Sequence, residues 1–254
     1  MEIERISPSQ YHLKRVLSNE LRPKLELDAV TLPQEIVEKC MRFGRKWSAK
    51  SADCYQHRGQ SNNDTTKEQH IEGKVGEWVA CLILRQFGYS CTDPDMNVYE
   101  VHERNFEPDL FLEPLPLPNG SKPNGRFKLS VKSCAVQRTP SWGLSWVFQE
   151  EDYGIFGHNG NNADLRAKVV VLTHVYKFTG RILFAVSLGD LHKHNLFSPM
   201  MIERLQDNKV AVYYKDLRRL GYSCDTFRRE IQRALFRSLH VQSIKPVSVS
   251  GCKV

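Results

Sequence analysis

Two short segments of the chain carry residue types that could hydrolyse a phosphodiester bond. Asp109 lies in the segment Pro-Asp-Leu-Phe-Leu, and Lys132 lies in the segment Phe-Lys-Leu-Ser-Val-Lys-Ser-Cys. Both segments alternate apolar and polar residues, as strands do, and the Pro, Asn and Gly residues between them indicate a turn. Because side chains alternate along a strand, four residues share one face of the second strand: Lys128, Ser130, Lys132 and Cys134. In such a hairpin Asp109 would meet Lys132, and an acid that holds Mg²⁺ beside a lysine that positions water suits a metal-dependent phosphodiesterase.

A second acid, Glu77, belongs to the strongest helix pattern of the sequence. Residues 72–87 repeat apolar side chains at helical spacing, and Glu77 lies outside that stripe. Its neighbours on the helix surface are small or apolar: Gly73, Ala80, Cys81 and Leu84. We therefore expect Glu77 to be partly buried, which is costly unless a cation or donors meet the carboxylate. A metal ion or Lys132 could contact the Glu77 carboxylate. In the alternative interpretation, Glu77 is a surface residue at the exposed edge of the helix.

The composition is ordinary for a soluble globular protein. The chain has 254 residues, of which 41% are hydrophobic and 26% are charged, and it is long enough to bury a core. It has no apolar run of membrane-spanning length and no signal-peptide pattern, so we expect a cytoplasmic protein without a membrane partner. Seven cysteines without a Cys-x-x-Cys pair indicate reduced thiols. No P-loop or dinucleotide glycine motif is present.

The charge distribution favours a polyanionic partner. The formal net charge is +7, which points to a polyanionic partner. The alternative interpretation is that the positive charge only keeps the protein soluble. A predicted helix over 34–50 and a predicted C-terminal helix from Asp225 to Leu239 both carry basic residues beside an apolar stripe. Either helix could contact phosphates, and a solvated face is the alternative. The polar segment 51–69, which contains Arg58 and Gln60, is predicted to be a flexible loop that could become ordered on nucleic acid.

Two continuous apolar runs, over 168–176 and 181–188, predict strands that are buried on both faces. Helices would therefore cover both sides of the sheet. We predict an α/β fold with a mixed central β-sheet flanked by helices and with basic helical extensions. The domain organisation would be an N-terminal extension over 1–69, a core over 70–220, and a basic C-terminal helix and tail over 221–254.

The order of these parts resembles the PD-(D/E)XK nuclease superfamily. The Gly-Lys-Val-Gly-Glu helix, a strand, the Pro-Asp pair, a hairpin and the Ser-Val-Lys strand follow one another within residues 72–137. The Gly-x-x-Gly-Glu helix, which ends in Phe-Gly-Tyr, also looks like the opening helix of the Holliday-junction resolvase-like branch. The resemblance implies a restriction endonuclease-like core over the central part of the chain.

The resemblance also implies roles for individual residues. Asp109 and Glu77 would bind Mg²⁺, for which Mn²⁺ could substitute, and the carbonyl of Val131 would face the ion. Lys132 would orient the attacking water and offset charge on the pentacovalent phosphate. Contacts with the substrate are predicted for Ser130, Ser133, Gln137, Arg58, Gln60 and Lys74.

One residue departs from the family pattern. Ser130 stands two positions before the lysine, where the family usually has an acid. An acid from elsewhere could replace it, and the candidates are Glu77, Glu150 and Glu151. In a second explanation the site is inactive and the domain only binds nucleic acid. In a third, the motif is accidental and its acid and lysine form a structural ion pair.

We therefore expect a metal-dependent DNA endonuclease that acts on double-stranded or branched DNA, with a phage or restriction context suggested by the family. A homodimer would fit, since many members of the superfamily cut two strands as dimers. The first alternative is a catalytically inactive nucleic-acid-binding module on the same fold. The second alternative is a basic protein-interaction domain.

Overall fold

A computed structural model describes residues 29–50, 64–99, 109–113, 127–139, 143–149, 169–200, 209–223 and 231. Several residues with predicted roles lie outside these ranges: Arg58, Gln60, Glu150 and Glu151. The predicted C-terminal helix also lies outside them, except for Ile231, which is helical and buried. What the sequence indicates for these residues stays a prediction.

The first described elements are a short strand and two helices. They are β1 (Val30–Thr31), α1 (Gln34–Lys50) and α2 (Asp64–Gln86). α1 has the predicted bounds, and its buried residues recur at helical spacing: Ile36, Cys40, Phe43, Gly44 and Trp47. α2 begins at Asp64, so the loop predicted over 51–69 is wrong from that residue onward.

Contacts with α1 account for the early start of α2. The rings of Trp47 and His70 are stacked, with their centroids 3.5 Å apart. Gly44 lies so close to Ile71 that a Cβ atom at this glycine would be 2.6 Å from the Ile71 Cδ1 atom. The first turns of α2 are mostly polar, so their helical state depends on these tertiary contacts rather than on a local apolar stripe.

The rest of the described chain consists of short strands and two short helices. These elements are β2 (Ser90–Cys91), β3 (Leu110–Glu113), β4 (Phe127–Ala135), β5 (Ser145–Gln149), β6 (Val169–Tyr176), β7 (Thr179–Ser187), α3 (Leu188–Lys193), β8 (Ser198–Pro199), β9 (Lys209–Tyr213) and α4 (Tyr214–Arg219). A single 3₁₀ turn follows β4. Within the described ranges, no helix is both long enough and apolar enough to cross a bilayer.

Six strands form one mixed sheet in the order β1-β7-β6-β4-β3-β2. β3 and β4 pair antiparallel, with Leu110 opposite Leu129, which confirms the predicted hairpin. β4 and β6 run parallel, whereas every other pair of neighbours in this sheet is antiparallel. The prediction of an α/β fold around a mixed sheet is therefore confirmed.

The two faces of this sheet are covered by different structures. On one face, Leu129, Val131 and Val171 join a core with the apolar side of α2. The other face is covered by a second, antiparallel sheet in the order β5-β9-β8, with α3 and α4 beside it. The prediction of helices on both sides is therefore confirmed in part, because on the second side a sheet supplies much of the cover beside α3 and α4.

Two aromatic side chains of β5 explain this second layer. Trp146 and Phe148 are fully buried in a cluster with Leu172 and Phe184 of the large sheet. The indole Nε1 of Trp146 donates a hydrogen bond to the carbonyl of Thr173 at 2.8 Å, so the one polar atom of its ring is satisfied. An apolar strand requires apolar cover on both faces, but the strand itself does not determine whether a helix or a sheet provides it.

Candidate active site

Asp109 lies at the point where β3 separates from β4. The antiparallel pairing ends at Leu110 and Leu129, and β4 continues past this pair without β3 as its neighbour. The backbone N–H of Val131 donates to the Oδ2 atom of Asp109 at 2.6 Å. The aspartate carboxylate thus takes the place of a strand partner, which holds it in a defined position at this edge of the sheet.

Glu77 projects from α2 and is buried, with only 8% of its surface exposed. The ammonium group of Lys74 donates to both of its carboxylate oxygens, at 3.1 Å and 2.8 Å. The same ammonium lies 5.1 Å from the centroid of the Phe43 ring of α1. The counter-charge of Glu77 therefore comes from the preceding turn of its own helix, whereas the sequence led us to expect a metal ion or Lys132.

The electrostatic surroundings of Glu77 show that a second carboxylate is near. Burial raises the pKa of Glu77 from its ordinary value of 4.5 to about 8, and the negative charge of Asp109 acts in the same direction. Lys74 opposes this shift, and Asp95 adds a smaller contribution that raises the pKa further. Glu77 and Asp109 thus share one electrostatic environment, although they come from a helix and a strand.

Asp95 is an acid that the sequence reasoning did not single out. It lies in the segment after β2, and its Oδ1 atom accepts hydrogen bonds from the backbone N–H and the side-chain amide of Asn97, at 2.9 Å and 2.8 Å. The hydroxyl of Tyr99 donates to its Oδ2 atom. The pattern Asp-x-Asn after a proline is typical of such a turn and could have indicated an oriented carboxylate here.

Lys132 lies on the face of β4 opposite to Val131. Its ammonium group is 5.7 Å from the centroid of the Phe148 ring, which belongs to the second sheet. Glu77 approaches β4 from the other side, with α2. A ligand that contacted both the lysine and the glutamate would therefore lie at the edge of β4, where Asp109 is held.

Ser133 and Gln137 connect β4 to its neighbours. The hydroxyl of Thr173 lies 3.0 Å from that of Ser133, and a Cβ atom at Gly76 of α2 would collide with the Ser133 side chain. The side-chain amide of Gln137 donates to the carboxylate of Glu72, also in α2. These contacts show that both residues join α2 to the sheet.

Two further residues with predicted substrate contacts lie in the described part of the chain, Ser130 and Lys74. Ser130 is half-buried on the lysine face of β4 and lies beside Val170 of the parallel strand β6. Lys74 is bound to Glu77, as described above. The structure thus brings Glu77 together with Lys74, and Asp109 together with Val131, while the side chain of Lys132 lies on the second face of β4 beside Phe148.

The acids of this site offer the oxygen ligands that Mg²⁺ prefers. Mg²⁺ commonly binds one or two carboxylates and keeps several waters, so Asp109 and Glu77 fit such an ion in number and type. Burial, followed by the negative charge of Asp109, raises the pKa of Glu77, and a divalent cation held by both carboxylates would offset the repulsion between them. Within the described ranges, no three His, Cys, Asp or Glu side chains are grouped so that they could hold a metal ion. From the described residues, further ligands would be backbone carbonyls, and water would complete the ion's shell.

Comparisons of the chain with protein-family models, with curated proteins and with solved structures find no match.

Proposed function

We propose that this protein is a Mg²⁺-dependent endonuclease that hydrolyses phosphodiester bonds in DNA. The observation that carries the proposal is the position of Asp109. Its carboxylate is held by the Val131 N–H where β3 leaves β4, and it lies within electrostatic range of the buried Glu77. Two carboxylates that share one environment at a sheet edge are a plausible arrangement for binding a hard cation beside a phosphate group.

The side chains of the site divide the work in this proposal. Asp109 and Glu77 would hold the ion, with the carbonyl of Val131 as a further oxygen ligand. Bound Mg²⁺ would supply Lewis-acid polarisation of the phosphate and would lower the pKa of a coordinated water. Lys132 would orient the attacking water from the second face of β4 and would offset charge on the phosphate. Lys74 would keep the carboxylate of Glu77 in place.

The order of the elements supports a restriction endonuclease-like core. α2, β2 and the β3–β4 hairpin occur in the order that the resemblance to PD-(D/E)XK nucleases implies, and β3 and β4 pair as that hairpin. The net charge of +7 suits a nucleic-acid substrate. In this interpretation Asp109 and Lys132 are the acid and the lysine of the family motif.

A second candidate is a nucleic-acid-binding module without catalytic activity. Two observations favour it. Ser130 stands where the family usually has an acid, and both carboxyl oxygens of Glu77 already contact the ammonium of Lys74. In this case the fold would bind DNA phosphates but would not activate water.

Cleavage of supercoiled plasmid separates the two candidates. The purified protein is incubated with plasmid in Mg²⁺, in Mn²⁺ and in EDTA, alongside the variants Asp109→Asn and Lys132→Met. The side-chain carbonyl of the asparagine could still accept the Val131 hydrogen bond, so the fold should be retained while one ionic ligand is lost. We expect metal-dependent nicking or linearisation by the wild type and a loss of roughly 100-fold or more in each variant, the usual scale for a group that acts on the reacting proton or charge.

The matched control is Glu113→Gln. Glu113 is exposed at the other end of β3, so this variant loses one negative charge from the same strand but away from the site. It should cut like the wild type. Salt-sensitive DNA binding without any cutting would favour the binding module instead. Cutting that is unchanged in Asp109→Asn would place the active site elsewhere.

A further inference from the structure

The outer face of α1 carries basic residues that the proposed active site does not use. Five exposed cations lie along this helix: Lys39, Arg42, Arg45, Lys46 and Lys50. Its last acidic residue is Glu38, so the segment from 39 to 50 contains positive charges alone. The buried apolar residues of α1 lie on an adjoining face, where α1 is packed against the core.

Three of these cations form a narrow line, which we call the basic stripe: Lys39, Arg42 and Lys46. At roughly 100° and 1.5 Å per residue, they lie within an arc of about 60° and span about 10 Å of the helix axis. Positive side chains spaced three and four residues apart repel one another on a helix. The repulsion within the stripe therefore destabilises the isolated helix, and a bound polyanion would offset this repulsion.

Neighbouring acids do little to neutralise the basic stripe. Arg42 is 3.8 Å from Glu38, and both side chains are more than half exposed, so this contact is weak. In the described part of the chain, no ion pair involves Lys39 or Lys46. Lys39 instead lies over the ring of Trp78 in α2, 5.4 Å from its centroid.

The stripe is held rigidly next to the candidate active site. Trp47 stacks on His70, and Gly44 allows α1 to approach Ile71 of α2 closely. On the same pair of helices, the ring of Phe43 contacts the ammonium that binds Glu77. The positive face and the carboxylates thus belong to one packed unit, so a polyanion on α1 would pass close to the site.

We propose that Lys39, Arg42 and Lys46 are a contact surface for the phosphate backbone of duplex DNA. The proposal rests on the nucleic-acid substrate of the proposed function, and it adds the part of the protein that binds the duplex outside the active site. Cations along a preformed helix suit regularly spaced phosphates, because the backbone that carries them is already ordered before binding. The contacts are with the backbone and so would be independent of base sequence.

The test is the salt dependence of duplex binding. Fluorescence anisotropy of a short labelled duplex is followed in EDTA over a range of KCl concentrations, so that cleavage plays no part. The triple variant Lys39→Gln/Arg42→Gln/Lys46→Gln is compared with a control that loses three exposed cations from α3 and α4, namely Lys193→Gln/Lys215→Gln/Arg219→Gln. Both variants have the same net charge, and thermal melting by circular dichroism checks that both are folded.

Each phosphate contact contributes about 0.9 to the slope of log K against log salt, so the stripe variant should lose roughly 2 to 3 units of slope. Its affinity at moderate salt should fall about tenfold or more, while the control stays close to the wild type. Equal losses in both variants would mean that net charge alone matters and would overturn the proposal. So would a wild type that binds anionic phosphatidylserine vesicles through these residues but does not bind the duplex.

The outcome is independent of catalysis. Stripe-dependent duplex binding by a protein that never cuts plasmid would support the surface and would reject the nuclease. Plasmid cleavage by a protein whose duplex binding is unchanged in the stripe variant would support the nuclease and would reject the surface.

Discussion

At the scale of single residues, the main feature of the candidate site is the desolvation of one carboxylate, that of Glu77. Glu77 is buried against the sheet, and the ammonium of Lys74 restores part of the lost hydration by contacting both oxygens. The charge of Asp109 works against ionisation of Glu77. One buried acid thus experiences a cation and an anion together, and its protonation state depends on the balance between them.

This balance predicts how stability changes with pH. The pKa of Glu77 is raised to about 8 in the folded protein, while 4.5 is its ordinary value. Between these values the folded protein holds a proton that the unfolded chain has released, so the free energy of unfolding falls as pH rises through this window. The fall from this residue approaches about 1.4 kcal/mol per pH unit and levels off above the folded pKa.

Urea unfolding in EDTA from about pH 5 to about pH 9 measures this effect. The variant Glu77→Gln cannot release a proton at this position, so its stability should fall less steeply with pH than that of the wild type. The variant Glu113→Gln removes an exposed carboxylate and should keep the wild-type slope. Parallel curves for wild type and Glu77→Gln would show that Glu77 is ionised throughout, contrary to this expectation.

At the scale of elements, the contact between α2 and the large sheet is closest at Gly76. A Cβ atom there would be 2.6 Å from the Thr173 hydroxyl oxygen and would also collide with the side chain of Ser133. Both hydroxyls belong to residues in the middle of strands, so they have little freedom to move away. The glycine therefore sets the distance between the helix that carries Glu77 and the strand that leads to Lys132.

The variant Gly76→Ala tests this contact. Because helix and sheet would have to separate, we expect a loss of about 2 kcal/mol or more in the free energy of unfolding. The matched control is Gly73→Ala, one turn earlier in α2, where an added Cβ has no atom within 4 Å. That change should stabilise the protein by roughly 0.5 to 1 kcal/mol, because alanine favours a helix more than glycine does.

Denaturant midpoints and slopes for both alanine variants give the comparison. Similar stability for the two variants would mean that the sheet relaxes around Gly76 and that the close approach does not constrain α2. If Gly76→Ala is destabilised as expected, its plasmid cleavage should also fall, because Glu77 would move away from Asp109.

At the scale of the whole molecule, β4 connects two layers with different chemistry. Its Val131 face lies under α2 and the carboxylate of Glu77, while its lysine face is directed to the aromatic core of the second sheet. An ion site at this position therefore requires α2 and the second sheet to keep their places on the two faces of β4. Ion binding should then stabilise the fold as a unit.

Thermal unfolding in Mg²⁺ and in EDTA measures that coupling without any substrate. At an ion concentration about ten times the Kd, the gain is about 1.4 kcal/mol, which corresponds to a rise of roughly 2 to 4 °C in Tm. We expect this rise in the wild type and in Glu113→Gln, and its loss in Asp109→Asn. An equal rise in all three proteins would mean that Mg²⁺ acts through a place other than this site.

Local patterns in the sequence predicted much of the fold. Apolar spacing predicted α1 with its correct bounds and most of α2, and strand alternation predicted the hairpin that follows Asp109. The burial of Glu77 also followed from its small and apolar helix neighbours.

The sequence by itself determined most helices and strands and which of their faces are apolar, because these properties repeat every few residues along the chain, whereas the first turns of α2 depend on contacts with α1. Only the tertiary structure decided what lies against each face. Phe148 beside Lys132, Asp95 near Glu77, and a second sheet against the large one all join different elements of the chain. Their placement depends on the free energy of the complete fold, to which no local pattern corresponds.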